Sequence, residues 1–198
     1  MSEDNYGKIV RNNLEQLYNK LPSSFESKLP CNRKENGNFI FTAFGEECEI
    51  SPEGISLDGS FQWGALGIII SLYCLNACSE EALIEPLKAY KDLPNSAPYA
   101  GAFVSHTEKI LVPYVEKIKN SKEKILKKFE GKSYSMGDFS FLVKPLPKIS
   151  LCYIFYLPDD EFPASATCLF SNNVLSFLPI DGIADTGEYT SKKIVSLL

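Results

Sequence analysis

Apolar positions recur at helical spacing in the first segment. Ile9, Val10, Leu14, Leu17 and Leu21 fall on one face of residues 6–21, which predicts an amphipathic helix ended by Pro22. The period then drops to two. Phe39, Phe41 and Ala43 alternate with Ile40, Thr42 and Phe44, Cys48 and Ile50 continue the pattern, and Ile55 and Leu57 make a third short run. Gly45-Glu46 and Pro52-Glu53-Gly54 supply turns and Asp58-Gly59 closes the set, so residues 38–57 read as a β-meander. Residues 64–78 are apolar on nearly every side, as expected of a helix at the centre of a packed domain. A short helix is expected over 80–87. Residues 91–101 hold Pro94, Asn95, Ser96, Pro98 and Gly101 and predict a loop, with Tyr99 and Phe103 as anchors.

Helical spacing returns in the second half. Ser105 and Glu108 have capping-box spacing, which predicts a helix start. Leu111, Val115, Ile118, Ile125 and Phe129 follow on one stripe, with Pro113 kinking or resetting the start and Gly131 ending the helix. Residues 133–143 read as a hairpin around Gly137-Asp138, with Phe139, Phe141 and Val143 on one face. Residues 149–157 are almost wholly apolar and β-rich, which predicts a central strand, and residues 164–170 are its antiparallel partner. Residues 183–198 predict a closing helix, with Gly187 as its weak point. Strands and helices are grouped rather than alternating. The predicted class is α+β: a mostly antiparallel sheet, from the N-terminal meander and C-terminal hairpins, packed with a buried central helix and flanking helices. No repeat or linker interrupts the chain, and residues 1–198 read as a single domain.

Composition changes this picture little. Apolar residues make up 44% of the 198, enough to fill a sizeable core. A net charge of −5 argues against nucleic-acid binding, which draws its affinity from phosphate neutralisation. Seven lysines in residues 117–132 come without arginine and read as a solvated helix face. Residues 59–79 are uncharged and long enough to approach a membrane span. Their internal Ser60, Gln62, Ser71 and Asn76 and their flanks Asp58, Glu80 and Glu81 favour a buried helix instead. The first residues show no export signal, so a soluble, cytoplasmic protein with reduced cysteines is expected.

The candidate chemistry is sparse. Asp159, Asp160 and Glu161, bracketed by Pro158 and Pro163, offer three carboxylates between two strands; they could meet a ligand or a hard cation or supply a general base. The bland alternative is a solvated strand connection with Phe162 anchoring it in the core. Neighbouring residues of an extended chain point to opposite sides, so the three acids do not readily converge on one ion. Cys74 and Cys78 share a face of the predicted central helix but lack the spacing of a zinc or cluster motif. His106 is the only histidine; it falls in a predicted first helical turn and reads as a surface residue. No phosphate-cradling glycine motif and no nucleophile elbow occurs. Trp63, Tyr99 and Phe103 read either as core anchors or as the lining of a pocket.

The last third carries a family likeness. The runs Leu146-Pro147 to Ile149, Asp159-Asp160-Glu161-Phe162-Pro163-Ala164-Ser165-Ala166, Leu169-Phe170 and Leu178-Pro179 resemble the family of domain of unknown function 3786. Tyr73-Cys74-Leu75, Leu93-Pro94, Tyr99-Ala100-Gly101-Ala102-Phe103 and Gly137-Asp138 fit it too. The likeness runs from residue 64 onward and is less specific over the meander. Ser171, and Asp181 with Gly182, depart from acidic positions common in the family. The resemblance implies a setting in anaerobic bacteria and archaea, where some relatives are joined to iron–sulfur modules or lie near corrinoid-dependent methyl-transfer proteins. The expected function is therefore that of a non-catalytic cytoplasmic accessory or binding protein of anaerobic metabolism, with no cofactor assigned. Its small-molecule or protein partner would meet Tyr99, Phe103, Asp159, Asp160, Glu161 and Phe162. The alternatives are a metal-assisted enzyme using Asp159, Asp160 or Glu161, with Asp138, and a protein–protein module or homo-oligomer built on an exposed sheet face.

Overall fold

A computed structural model describes residues 5–22 and 24–198. The chain opens with helix α1 (Asn5–Asn19), which buries Val10, Leu14 and Leu17 and leaves Ile9 exposed. The short helix α2 (Phe25–Lys28) sets Phe25 edge-on against Phe39, with ring centroids 4.8 Å apart. Five antiparallel strands follow in chain order: β1 (Asn32–Arg33), β2 (Phe39–Ala43), β3 (Glu46–Ser51), β4 (Gly54–Leu57) and β5 (Ser60–Phe61). This is the expected meander with one strand added at each edge. Phe44 does not continue the alternation. It takes φ +52° ahead of Gly45 at +74°, in a turn so close to Lys128 that a methyl at residue 45 would meet the Lys128 carbonyl oxygen at 2.6 Å.

Helix α3 (Ala65–Leu75) packs against α1, where the Asn13 amide donates to the Ser71 hydroxyl at 2.9 Å. It stops short of residue 78, because Asn76 donates its side-chain amide to the Leu72 carbonyl and caps the end. No helix forms over 80–87. Pro86 disfavours helical backbone before it, and the segment instead runs extended across the back of a second sheet. The Lys148 ammonium donates to the carbonyls of Cys78 and Glu80, and Asn172 and Asn173 bind the backbone of Glu81, Leu83, Ile84 and Pro86. Ile84 and Leu87 thereby cover Leu142, Cys152, Ile154 and Leu169.

Strand β6 (Lys88–Ala89) runs into a 3₁₀ turn, Tyr90–Asp92, and the predicted loop. Helical structure then begins at α4 (Ala100–Phe103), earlier than the capping box suggested. It continues through a π segment (Val104–Glu108) and a 3₁₀ segment (Lys109–Tyr114) into α5 (Val115–Asn120) and α6 (Lys122–Lys128). Ser105 and His106 therefore lie inside a helical run, and Ser105 makes no capping bond. Burial of Phe103 starts the helix upstream, and Pro113, which lacks an N–H, sits where the α-helical ladder fails.

The second sheet has the order β6-β10-β9-β8-β7, all antiparallel, with β7 (Lys132–Tyr134), β8 (Phe139–Leu146), β9 (Ile149–Tyr156) and β10 (Ser165–Phe170). β9 is central, as its composition requires: both of its faces are covered, and only Tyr156 is exposed. A bulge between Val143 and Leu146 lets the Pro145 carbonyl accept from the Phe44 N–H, which ties the two sheets together. Helix α7 (Ile180–Ser196) closes the core. Gly187 is no weak point in it. It is buried where α7 passes closest to Phe103 and Thr107. One continuous apolar cluster runs from Val10 through both sheets to Ile194. The described residues form an α+β fold, and among them no helix is long and apolar enough to cross a membrane.

Candidate functional site

β6 is only two residues long. It pairs Ala89 with Leu169 and Lys88 with Phe170, so the edge of β10 beyond Leu169 has no strand partner on that side. An unpaired edge N–H must find another acceptor. The Cys168 N–H donates to Glu108 Oε1 at 2.9 Å. Glu108 reaches it from the last position of the π segment, lying in register with the apolar stripe of Leu111, Val115 and Ile118. In the sequence Glu108 stands out only as a capping residue. Its membership of the apolar stripe was the available signal that it points inward.

This placement opens a cleft of about 280 Å³ lined by Ala89, Tyr90, Lys91, Ala100, Phe103, Val104, Glu108 and Thr167. Phe103 and Tyr90 form one wall, stacked with centroids 4.4 Å apart and planes 11° from parallel, and Phe170 backs them at 5.6 and 6.2 Å. The Tyr90 hydroxyl donates to the Ile180 carbonyl at 3.1 Å, which fixes the ring against α7. Burial pushes the Glu108 carboxyl above the usual range, opposed by the Cys168 N–H and then by Lys91. Behind Glu108 lies a buried polar row. Tyr153 shares a hydrogen bond with Ser191 at 2.9 Å and donates to the Gly187 carbonyl at 3.4 Å, and burial holds the Cys168 thiol protonated. Thr107, beside Glu108, buries its hydroxyl with no hydrogen-bond partner among the described residues. Buried polar groups without partners are uncommon, and π segments are frequent at functional sites.

The structure divides the residues singled out from the sequence. Phe103 lines the cleft, and Tyr99, 43% exposed, only precedes the lining residue Ala100. Asp159, Asp160, Glu161 and Phe162 lie elsewhere, on the loop before β10. They adjoin its Ser165 end, whereas Phe103 packs on Phe170 at the other end. Asp159 Oδ1 accepts from the N–H groups of Phe162 at 2.7 Å and Glu161 at 2.9 Å, and those bonds hold its carboxyl below the usual range. Phe162 is 67% exposed and anchors nothing in the core. Asp138 sits at the base of the same loop, where its Oδ2 accepts from the Leu157 N–H at 2.7 Å.

Cys74 and Cys78 do not share a helical face, because α3 ends at Leu75. Cys74 is buried, and Cys78 points its thiol at the Ser176 carbonyl. All six cysteines are free thiols. His106 is exposed and pairs with Glu188 at 3.2 Å. Among the described residues no three His, Cys, Asp or Glu side chains come together in a group able to hold a metal ion.

Comparison with known protein families gives a match over most of the chain. The model of the family described as domain of unknown function (DUF3786) aligns with residues 22–193, so it takes in the meander as well as the C-terminal motifs. No curated protein and no solved structure matches the chain. With nearly the whole of its 198 residues aligned to that family, the chain belongs to the DUF3786 family.

Proposed function

We propose that this protein is a non-catalytic binding protein whose small-molecule ligand occupies the cleft between Phe103 and Glu108. One observation carries the reading: a half-buried carboxylate and a stacked aromatic pair face the same cavity. Ligand sites are typically concave and mostly apolar, with a few placed polar groups. The cleft is near the lower end of the usual size range, which suits a ligand of one ring and a short arm. Among the described residues that line the cleft, Glu108 has no histidine and no second carboxylate to complete a catalytic set. The Cys168 thiol behind it is buried and protonated, so it is no nucleophile. The rival metal-assisted reading has a weaker footing, since among the described residues Asp138, Asp159, Asp160 and Glu161 do not gather into a group of three able to hold a metal ion.

An accessory role in the cytoplasm of anaerobes completes the proposal. It rests on the family likeness and on six unpaired thiols, which suit a reducing compartment. Ligand-observed NMR with a library of small fragments tests the cleft. The expected result is binding by the wild type that Val104→Trp, which fills the cleft from its exposed rim, removes. Equal binding by both proteins contradicts the proposal.

A further inference from the structure

We infer that the ligand of this cleft is a small apolar or aromatic amine, carried as a cation. The inference rests on the reading of the cleft as a binding site and specifies its chemistry. Glu108 Oε1 is engaged by the Cys168 N–H. Among the described residues no donor reaches the second oxygen, Oε2, although the residue lines the cleft. A half-buried carboxylate oxygen without a partner favours a donor, and a charged N–H makes the stronger bond. The remaining walls suit the rest of such a molecule. Ala89, Ala100 and Val104 are apolar, and the stacked rings of Tyr90 and Phe103 add a buried aromatic wall.

Two charged side chains line the cleft, Glu108 and Lys91. Lys91 forms no ion pair with Glu108 within 4.0 Å, and its side chain reaches the rim from the exposed 3₁₀ turn. A carboxylate or phosphate ligand would have to approach Glu108 directly, and repulsion there exceeds what one exposed lysine returns.

Three probes of equal shape separate the possibilities: benzylamine, benzyl alcohol and benzoate, each titrated into the ¹⁵N-labelled protein while the amides of Tyr90, Phe103, Glu108 and Thr167 are followed. Benzylamine is expected to bind most tightly and benzoate least. Glu108→Gln keeps an acceptor for the Cys168 N–H, so the fold is retained. It is expected to weaken benzylamine about tenfold or more while leaving benzyl alcohol unchanged. Lys91→Ala is expected to tighten benzylamine about two- to fivefold. If benzyl alcohol or benzoate binds as well as benzylamine, or if Glu108→Gln leaves their ratio unchanged, the amine assignment is overturned while the cleft remains a site. If none of the three probes shifts the cleft amides, both the assignment and the reading of the cleft are overturned.

Discussion

Gly187→Ala decides whether the centre of α7 is a weak helical residue or a required close contact. On helix propensity alone the change should stabilise the protein by up to about 1 kcal/mol, since Gly is a poor helix former. The packing opposes this. The added methyl would lie 2.7 Å from Phe103 Cε2 and 3.2 Å from both Thr107 Oγ1 and Cγ2. The Phe103 ring cannot step back, because Tyr90 stacks on it at 4.4 Å and Phe170 stands at 5.6 Å. Overpacking of this kind costs about 1–3 kcal/mol. The expected net loss is about 1–2 kcal/mol, which lowers Tm by roughly 2–8 °C in a domain of this size. Thermal unfolding followed by far-UV circular dichroism measures it. Gly182→Ala in the same helix is the control. Its methyl meets mainly the Leu178 Cδ2 at 2.9 Å, the far end of a flexible side chain, so a neutral or slightly stabilising effect is expected. If Gly187→Ala proves as stable as Gly182→Ala, the contact between α7 and the cleft wall has slack and the packing argument is wrong.

Three further outcomes follow from the same site. Thr107→Val replaces a buried hydroxyl that lacks a partner among the described residues with a methyl of similar shape. It should raise stability in urea by about 1 kcal/mol; a loss of that size would show that the hydroxyl is bonded. Burial raises the Glu108 carboxyl above its unfolded value, so the folded state holds that proton more tightly. Its contribution is fully present below the unfolded value and is lost as pH rises through the folded one. Glu108→Gln should therefore flatten the fall in stability over that interval, and an unchanged urea-midpoint profile against pH would refute the assignment. Cys48, Cys74, Cys152 and Cys168 are buried, and burial pushes the half-buried Cys31 up to about 11. An aromatic disulfide reagent at pH 8 should modify at most two thiols of the folded protein, with Cys78 faster than Cys31, and all six after denaturation.

Much of the fold was legible because its elements have a single dominant period. The β2–β4 alternation and the two-faced apolar run of β9 each admit one structure, and the stripe from Leu111 to Phe129 marks the buried face of a helical run that is broken into a 3₁₀ segment, α5 and α6. The failures share a cause: a tertiary partner overrode a local signal. Residues 80–87 look helical only until the back face of the second sheet, with Cys152 and Ile154, has to be covered. Ser105 loses its capping role because Phe103 is already buried in a helix. Gly187 reads as weak along the chain, whereas across it a side chain there would meet Phe103 and Thr107. The proposed cleft is half visible in the sequence. Phe103 stands out as an aromatic flanking a loop, and the conspicuous acids are Asp159, Asp160 and Glu161. Glu108 does not stand out, because only its register with an apolar stripe signals that it is carried under the free edge of β10.

The central claim, a small-molecule site between Phe103 and Glu108, is tested most directly by amide-shift mapping with the tightest fragment from the NMR library. The account predicts saturable shifts at Tyr90, Phe103, Glu108 and Thr167, with Glu161 and Phe162 unmoved. Shifts centred on Glu161 and Phe162, with the cleft amides silent, would contradict it.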